Sequence, residues 1–117
     1  MKQASTGLEF WVSTADGPHG GPVVTVFGEL DTATAPHLRE VLERAVEPDA
    51  GGDVEVDLRG CSFVDSTGIA GLVWAAVRLQ RQDRRLLLLG ARERVRRILD
   101  LAGIGGHSAI VIDERPA

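Results

Sequence analysis

One short stretch carries the residue types most able to do chemistry: Ser62-Phe63-Val64-Asp65-Ser66-Thr67-Gly68-Ile69-Ala70-Gly71. Two adjacent hydroxyls, Ser66 and Thr67, stand beside a carboxylate, Asp65. Serine and threonine oxygens accept from the unpaired N–H groups that open a helix, so Ser66 reads as an N-cap. The same N–H groups and the helix dipole also favour an added phosphate. The chemistry open to this arrangement is modification of a hydroxyl, on Ser66 or on Thr67. The plainer reading of the same residues is a helix cap and nothing more.

Other chemistries find little in the chain. Ser66 does not sit in a Gly-x-Ser-x-Gly elbow. His19, His37 and His107 have no spacing that implies a triad, and with Cys61 they are too scattered for a zinc site. No Gly-x-x-x-x-Gly-Lys-Ser/Thr loop is present to cradle nucleotide phosphates. The expectation is a protein that is not an enzyme and uses no metal or cofactor. The lone Cys61 has no internal disulfide partner, which fits a reducing cytoplasm, and it reads as a small buried hydrophobe. Arg92, Arg94, Arg96 and Arg97 read as the solvated face of a helix.

The elements that position the hydroxyl pair follow from the hydrophobic pattern. Leu8 to Thr14 reads as a strand, and the Gly/Pro-dense segment Asp16 to Pro22 as a hairpin loop. Val23 to Phe27 is a strand rich in β-branched residues, ended by Gly28-Glu29-Leu30-Asp31. Thr32 to Pro36 enters a helix whose apolar face is Leu38, Val41, Leu42 and Ala45; Pro48 and Gly51-Gly52 stop it. Val54 to Leu58 is the next strand. The helix opened by the hydroxyl pair should run from about Ser66 to Gln82. Ile69, Leu72, Val73, Ala76 and Gln80 fall on one side of it, with Ala70, Trp74, Val77 and Arg81 on a flank. Its first half is apolar on more than one side, which means burial on both sides or an exposed contact surface. Leu86 to Leu89 reads as a buried central strand. Val95, Ile98, Leu99 and Ala102 mark a third helix with Gly103 as its C-terminal glycine, and Ala109 to Ile112 a last strand. Met1 to Gly7 and Asp113 to Ala117 read as loose ends.

The order is β-β-α-β-α-β-α-β, an α/β fold with a mixed, mostly parallel sheet and helices packed on it. A length of 117 residues suits a single domain over 1–117, with a core from about residue 8 to residue 112. A hydrophobic content of 44% with 26% charged residues places the chain among globular proteins rather than disordered ones. A net charge of -4 gives no general attraction to nucleic acid. No apolar run reaches membrane-spanning length, so no direct membrane insertion is expected.

Gly28-Glu29-Leu30-Asp31, Ala35-Pro36-His37-Leu38, Asp57-Leu58, Phe63-Val64-Asp65-Ser66-Thr67-Gly68 and Asp100-Leu101-Ala102-Gly103-Ile104 together resemble the bacterial anti-sigma factor antagonists, stand-alone members of the STAS family (sulfate transporter and anti-sigma antagonist). The likeness runs from about Leu8 to Ile112 in the expected order. It implies a STAS fold and a cytoplasmic partner-switching role. The unmodified antagonist would bind an anti-sigma factor that is also a serine kinase, freeing a sigma factor. The kinase would phosphorylate the hydroxyl that matches Ser66 and end the complex, and a serine phosphatase would reset it. Asp31 matches a family acid near the acceptor; a simple turn role is the alternative for it. The partner surface expected on this basis comprises Asp31, Asp65, Ser66, Thr67 and Gly68, with Leu30, Thr32 and Thr34 as a ridge beside them and Trp74 along the helix. The other reading of a STAS chain is an accessory subunit of a membrane transporter or lipid-trafficking complex, which would not require phosphate at Ser66.

Overall fold

The computed structural model describes residues 9–113. Its elements are β1 (Trp11–Asp16), β2 (Pro22–Leu30), α1 (Ala35–Ala45), β3 (Val54–Val64), α2 (Ser66–Gln80), β4 (Leu86–Leu89), α3 (Glu93–Ala102) and β5 (Ile110–Asp113), with short 3-10 turns at Pro48–Ala50 and Ile104–Gly106. The order is the one the sequence predicts. The five strands form one sheet in the order β1-β2-β3-β4-β5. β1 pairs antiparallel with β2, and every other pairing is parallel. The parallel pairs need crossovers, and α1, α2 and α3 supply them.

The core forms where alternating strand positions meet the apolar sides of the helices. Val12, Val24, Val26, Val54, Val56, Leu86 and Leu88 are fully buried, together with Leu42, Leu72, Leu79 and Leu99 from the helices. The other face of the sheet is more open. There Trp11 stacks on Phe27 with ring centroids 5.4 Å apart, and Phe27 stays partly exposed. α3 lies against β3, where Arg92 Nε donates to the Arg59 carbonyl at 2.8 Å and the Arg94 guanidinium sits 5.7 Å from the Phe63 ring centre. α3 ends on Gly103, whose φ of 74° is the left-handed conformation that favours glycine.

Several boundaries differ from the sequence expectation, each for a physical reason. β1 starts at Trp11 rather than Leu8, and Leu8 itself lies outside the described residues. β2 continues through Gly28 and Glu29 to Leu30, and β3 continues from Leu58 to Val64. Their pairing shifts register twice, between Thr25 and Phe27 and between Gly28 and Glu29, with the extra residue on β3 each time. Such bulges break the two-residue alternation that marks a strand in sequence. The Leu86-Leu87-Leu88-Leu89 strand is β4, one in from the edge; the central strand is β3. Asp113 closes β5 instead of opening a tail, and the expected loose ends 1–7 and 114–117 lie outside the described residues.

Two buried groups show how the loops are held. Arg84 is 7% exposed and pairs with no carboxylate among the described residues. Instead it donates to the carbonyls of Ala45, Glu47, Gly51 and Gly52 and to Gln82 Oε1, tying the α1–β3 loop to the end of α2. Burial lowers its pKa from the ordinary arginine value, with the charge of Asp53 acting the other way. Asp57 is buried on β3. Burial pushes its carboxyl up, but hydrogen bonds from the side chain and backbone of Arg59, with the arginine's charge, outweigh that and hold it below the ordinary value.

Candidate functional site

The site sits where β2 and β3 end side by side. Leu30 and Val64 are register partners, and the pairing continues one step further, as the Asp65 N–H donates to the Leu30 carbonyl at 3.0 Å. Each strand is followed at once by an aspartate, Asp31 after β2 and Asp65 after β3. The two do the same local job. Asp65 Oδ1 accepts from the N–H groups of Thr67 at 2.9 Å and Gly68 at 3.1 Å. Asp31 Oδ1 accepts from Ala33 at 3.0 Å and Thr34 at 3.1 Å. Each carboxylate therefore satisfies the N–H groups two and three residues on, as N-caps and Asx turns do.

This corrects one expectation. Ser66 is not the N-cap of α2; Asp65 is, and Ser66 is the first residue of the helix. Asp, Ser and Thr all suit the cap position, and the carboxylate takes it here. The result leaves Ser66 exposed, with no hydrogen bond to its hydroxyl among the described residues. Thr67 is exposed too, but its Oγ1 lies 3.3 Å from Thr32 Oγ1, which links the start of α2 to the loop before α1.

Thr34, expected with Leu30 and Thr32 in a contact ridge, is instead a buried support of the site. It is 3% exposed; its hydroxyl donates to the Glu29 carbonyl at 2.7 Å and accepts from the Asp31 N–H at 2.9 Å. The Asp31-x-x-Thr34 spacing was the available signal for this reciprocal turn. Together Asp31 and Thr34 hold the segment 31–34, whose Thr32 meets Thr67 at the start of α2.

The remaining expected residues divide between surface and support. Leu30 is fully buried, so its side chain cannot form part of a contact ridge; it packs beneath Gly68. Gly68 is buried as well, and its lack of a side chain lets α2 approach β2 and β3. Thr32 is exposed. Trp74 is half-buried, with the Arg39 guanidinium 3.7 Å and that of Arg78 5.4 Å from its ring centre. The buried side of α2 comprises Gly68, Leu72, Ala75, Ala76 and Leu79. Ile69 and Val73 are only half-buried and Gln80 is exposed, so the buried side coincides with neither of the two sides drawn from the sequence. Among the described residues no group of three or more His, Cys, Asp or Glu could hold a metal ion. No described helix is long and apolar enough to cross a membrane.

Residues 13–112 match the family model described as Mlab, STAS domain. The chain is 40% identical over 81 residues to an anti-sigma-B factor antagonist of Staphylococcus epidermidis, a match covering 69% of this chain and 74% of that protein. An anti-sigma factor antagonist from Mycobacterium paratuberculosis superposes with a TM-score of 0.76 at 24% identity, over 87% of this chain and 85% of that one. The antagonist SpoIIAA superposes in its unphosphorylated form with a TM-score of 0.72 at 22% identity, over 87% of each chain. In its phosphorylated form the TM-score is 0.66 at 20% identity, over 87% of this chain and 90% of that one. The chain belongs to the STAS domain family, and the curated relatives it matches include anti-sigma-B factor antagonists.

Proposed function

We propose that this protein is an anti-sigma factor antagonist whose unphosphorylated form binds an anti-sigma factor with serine kinase activity, releasing a sigma factor. Phosphorylation at Ser66 ends that binding, and a serine phosphatase restores it. The observation that supports this most directly is the exposed Ser66 hydroxyl, left unengaged because Asp65 caps the helix. A kinase needs a hydroxyl it can reach, and one at the C-terminal edge of a parallel sheet is well placed. Thr67 is the less suitable acceptor, since its hydroxyl already meets Thr32. The contact surface on this reading is Asp31, Thr32, Asp65, Ser66 and Thr67, with Trp74 further along α2. Gly68 and Leu30 act beneath it by fixing the helix position.

A phosphate adds a charge of about −1.5 to −2. A partner packed over unmodified Ser66 would meet a desolvated charge beside Asp65. Losing about 3 kcal/mol there weakens binding by more than a hundredfold. The test is a paired capture from native lysate with wild-type protein and Ser66→Asp as baits, read by mass spectrometry. A serine kinase retained by wild type and lost from Ser66→Asp is the expected result. Transporter or lipid-trafficking components retained by both baits would replace this reading with the accessory-subunit one, and Ser66 would become an ordinary helix residue.

A further inference from the structure

The three helices pack on one side of the sheet. Leu42 of α1, Leu72 of α2 and Leu99 of α3 share one buried cluster with Val24, Val56 and Leu88. Right-handed crossovers along a sheet ordered β1 to β5 require that arrangement. The opposite face is bare. Strand pairing lays Ala15, Val23, Glu55, Leu87 and Val111 in one row across all five strands. Val23, Leu87 and Val111 are half-buried, and none of them joins the helix-side cluster. The stacked Trp11 and Phe27 stand on the same face at one end. Parallel sheets are almost always covered on both faces, so an apolar face left open on one marks a contact surface. This face also carries a charge at its centre. Glu55 is half-buried between Val23 and Leu87, and its carboxylate makes no ion pair or hydrogen bond among the described residues. Asp57, two residues on, is already closed off by Arg59. Beside Phe27 a cleft of about 230 Å³ opens against Gly60, Ser62 and Arg92, with Glu9 and Glu29 on its rim.

We propose that this bare face is a second docking surface, and that its occupant is an amphipathic helix of a partner protein with a lysine or arginine inside its apolar stripe. Val23, Leu87 and Val111 take the stripe, Glu55 takes the cation, and the cleft beside Phe27 takes a large side chain at one end. Charge complementarity selects this occupant over a second copy of the chain. Two such faces stacked about a two-fold axis through their centres would set Glu55 against Glu55 in an apolar contact, and like charges there oppose association. Size points the same way. Five strands about 4.8 Å apart and three rows about 6.7 Å apart make a face on the order of 480 Å², well under the ~800 Å² that each partner buries in a stable complex. A helix of about 14 residues is about 21 Å long and spans that face. Helices are also what ordinarily cover parallel sheets. The inference stands apart from the proposed function, because Ser66 opens α2 on the helix side of the sheet.

The probes are three synthetic helical peptides of about 14 residues with the same apolar stripe, differing only in whether its central residue is lysine, glutamine or glutamate. Their Kd values are measured by calorimetry for wild type, Glu55→Gln, Glu55→Lys and Ser66→Asp, and the contact is mapped by backbone amide shifts. Wild type should bind the lysine peptide at least tenfold more tightly than the glutamate peptide, with the glutamine peptide between them. Glu55→Gln should lose that preference and Glu55→Lys should invert it, while Ser66→Asp keeps the wild-type order. The shifts should fall on Val23, Glu55, Leu87 and Val111 and spare Gly68 and Leu72. Binding of none of the peptides, equal affinity for all three, or shifts centred on α2 would overturn the inference. Sedimentation showing a dimer of this chain that Glu55→Lys dissolves would make the occupant a second copy and overturn it too. Glu55→Gln is close in size to the native residue, so it keeps the test decisive if Glu55→Lys fails to fold.

Discussion

Two glycines one turn apart in α2 should respond to alanine with opposite signs. Replacing a mid-helix glycine by alanine gains about 1 kcal/mol, because glycine loses more backbone freedom on folding. At Gly71 nothing lies within 4 Å of an added Cβ. Gly71→Ala should therefore stabilise the protein by about 1 kcal/mol, raising Tm by about 4 °C. At Gly68 the added Cβ would lie 2.7 Å from Leu30 Cγ, 2.9 Å from Leu30 Cδ2 and 2.9 Å from Val64 Cγ2. Two of these atoms are terminal methyls, but Leu30 and Val64 are 0% and 2% exposed, so neither side chain has open space to turn into. Overpacking of this kind costs about 1–3 kcal/mol. Taking about 2 kcal/mol against the same gain leaves Gly68→Ala about 1 kcal/mol below wild type and about 2 kcal/mol below Gly71→Ala. Urea unfolding of the three proteins measures this, with an unchanged m-value as the control for two-state behaviour. A Gly68→Ala protein as stable as Gly71→Ala would refute the close helix–sheet contact, and with it the account of how α2 is seated.

Three further outcomes are expected. Arg84→Met strands four loop carbonyls that now share one guanidinium and should cost about 3 kcal/mol by urea unfolding; a loss under 1 kcal/mol, against that estimate, would mean water replaces the arginine readily. Asp57 has a folded pKa below its unfolded value of 3.8, so its contribution is present above about pH 4 and is lost as pH falls through the folded pKa. The stability gap between wild type and Asp57→Asn should be about 1 kcal/mol at neutral pH and shrink below about pH 4, whereas a gap independent of pH would remove the ion-pair account. Asp31→Ala and Asp65→Ala should each cost about 1 kcal/mol in thermal melts, and wild-type stability in either would deny that carboxylate its capping role.

Strand and helix order could be read from the sequence because each element carries its own period, as Val54, Val56 and Leu58 do, or Leu38, Val41 and Leu42. The second half of β3 could not. Two bulges put Cys61 and Val64 into the core at positions of opposite parity, so no single alternation covers both. The burial face of α2 could not be read because the first half of the helix is apolar on more than one side, and a broad apolar surface fixes no direction. Part of that direction comes from Gly68, where an added Cβ would run into Leu30 of β2 and Val64 of β3, and a glycine adds nothing to a hydrophobic pattern. At the site, Asp65-Ser66-Thr67 offered three competent caps in a row. Which one caps depends on where β3 ends, and β3 ends later than its apolar run.

That shift of one residue changes how a phosphate at Ser66 would act. Had Ser66 been the cap, its phosphate could have replaced the hydroxyl as acceptor for the first-turn N–H groups, with its charge drawn into the helix end. With Asp65 as cap, the Thr67 and Gly68 N–H groups are already taken by a carboxylate. A phosphate on Ser66 would still lie in the positive end of the helix dipole, but the amide pair best aimed at an anion is occupied. Displacing Asp65 would exchange one anion for another and leave a carboxylate without its partners. The lower-cost outcome keeps Asp65 in place and leaves the phosphate facing outward. On the proposed reading the fold absorbs the modification with little change in stability. Most of the added charge then falls on whatever packs over Ser66, which lets a modification at one surface hydroxyl control association without rearranging the domain beneath it.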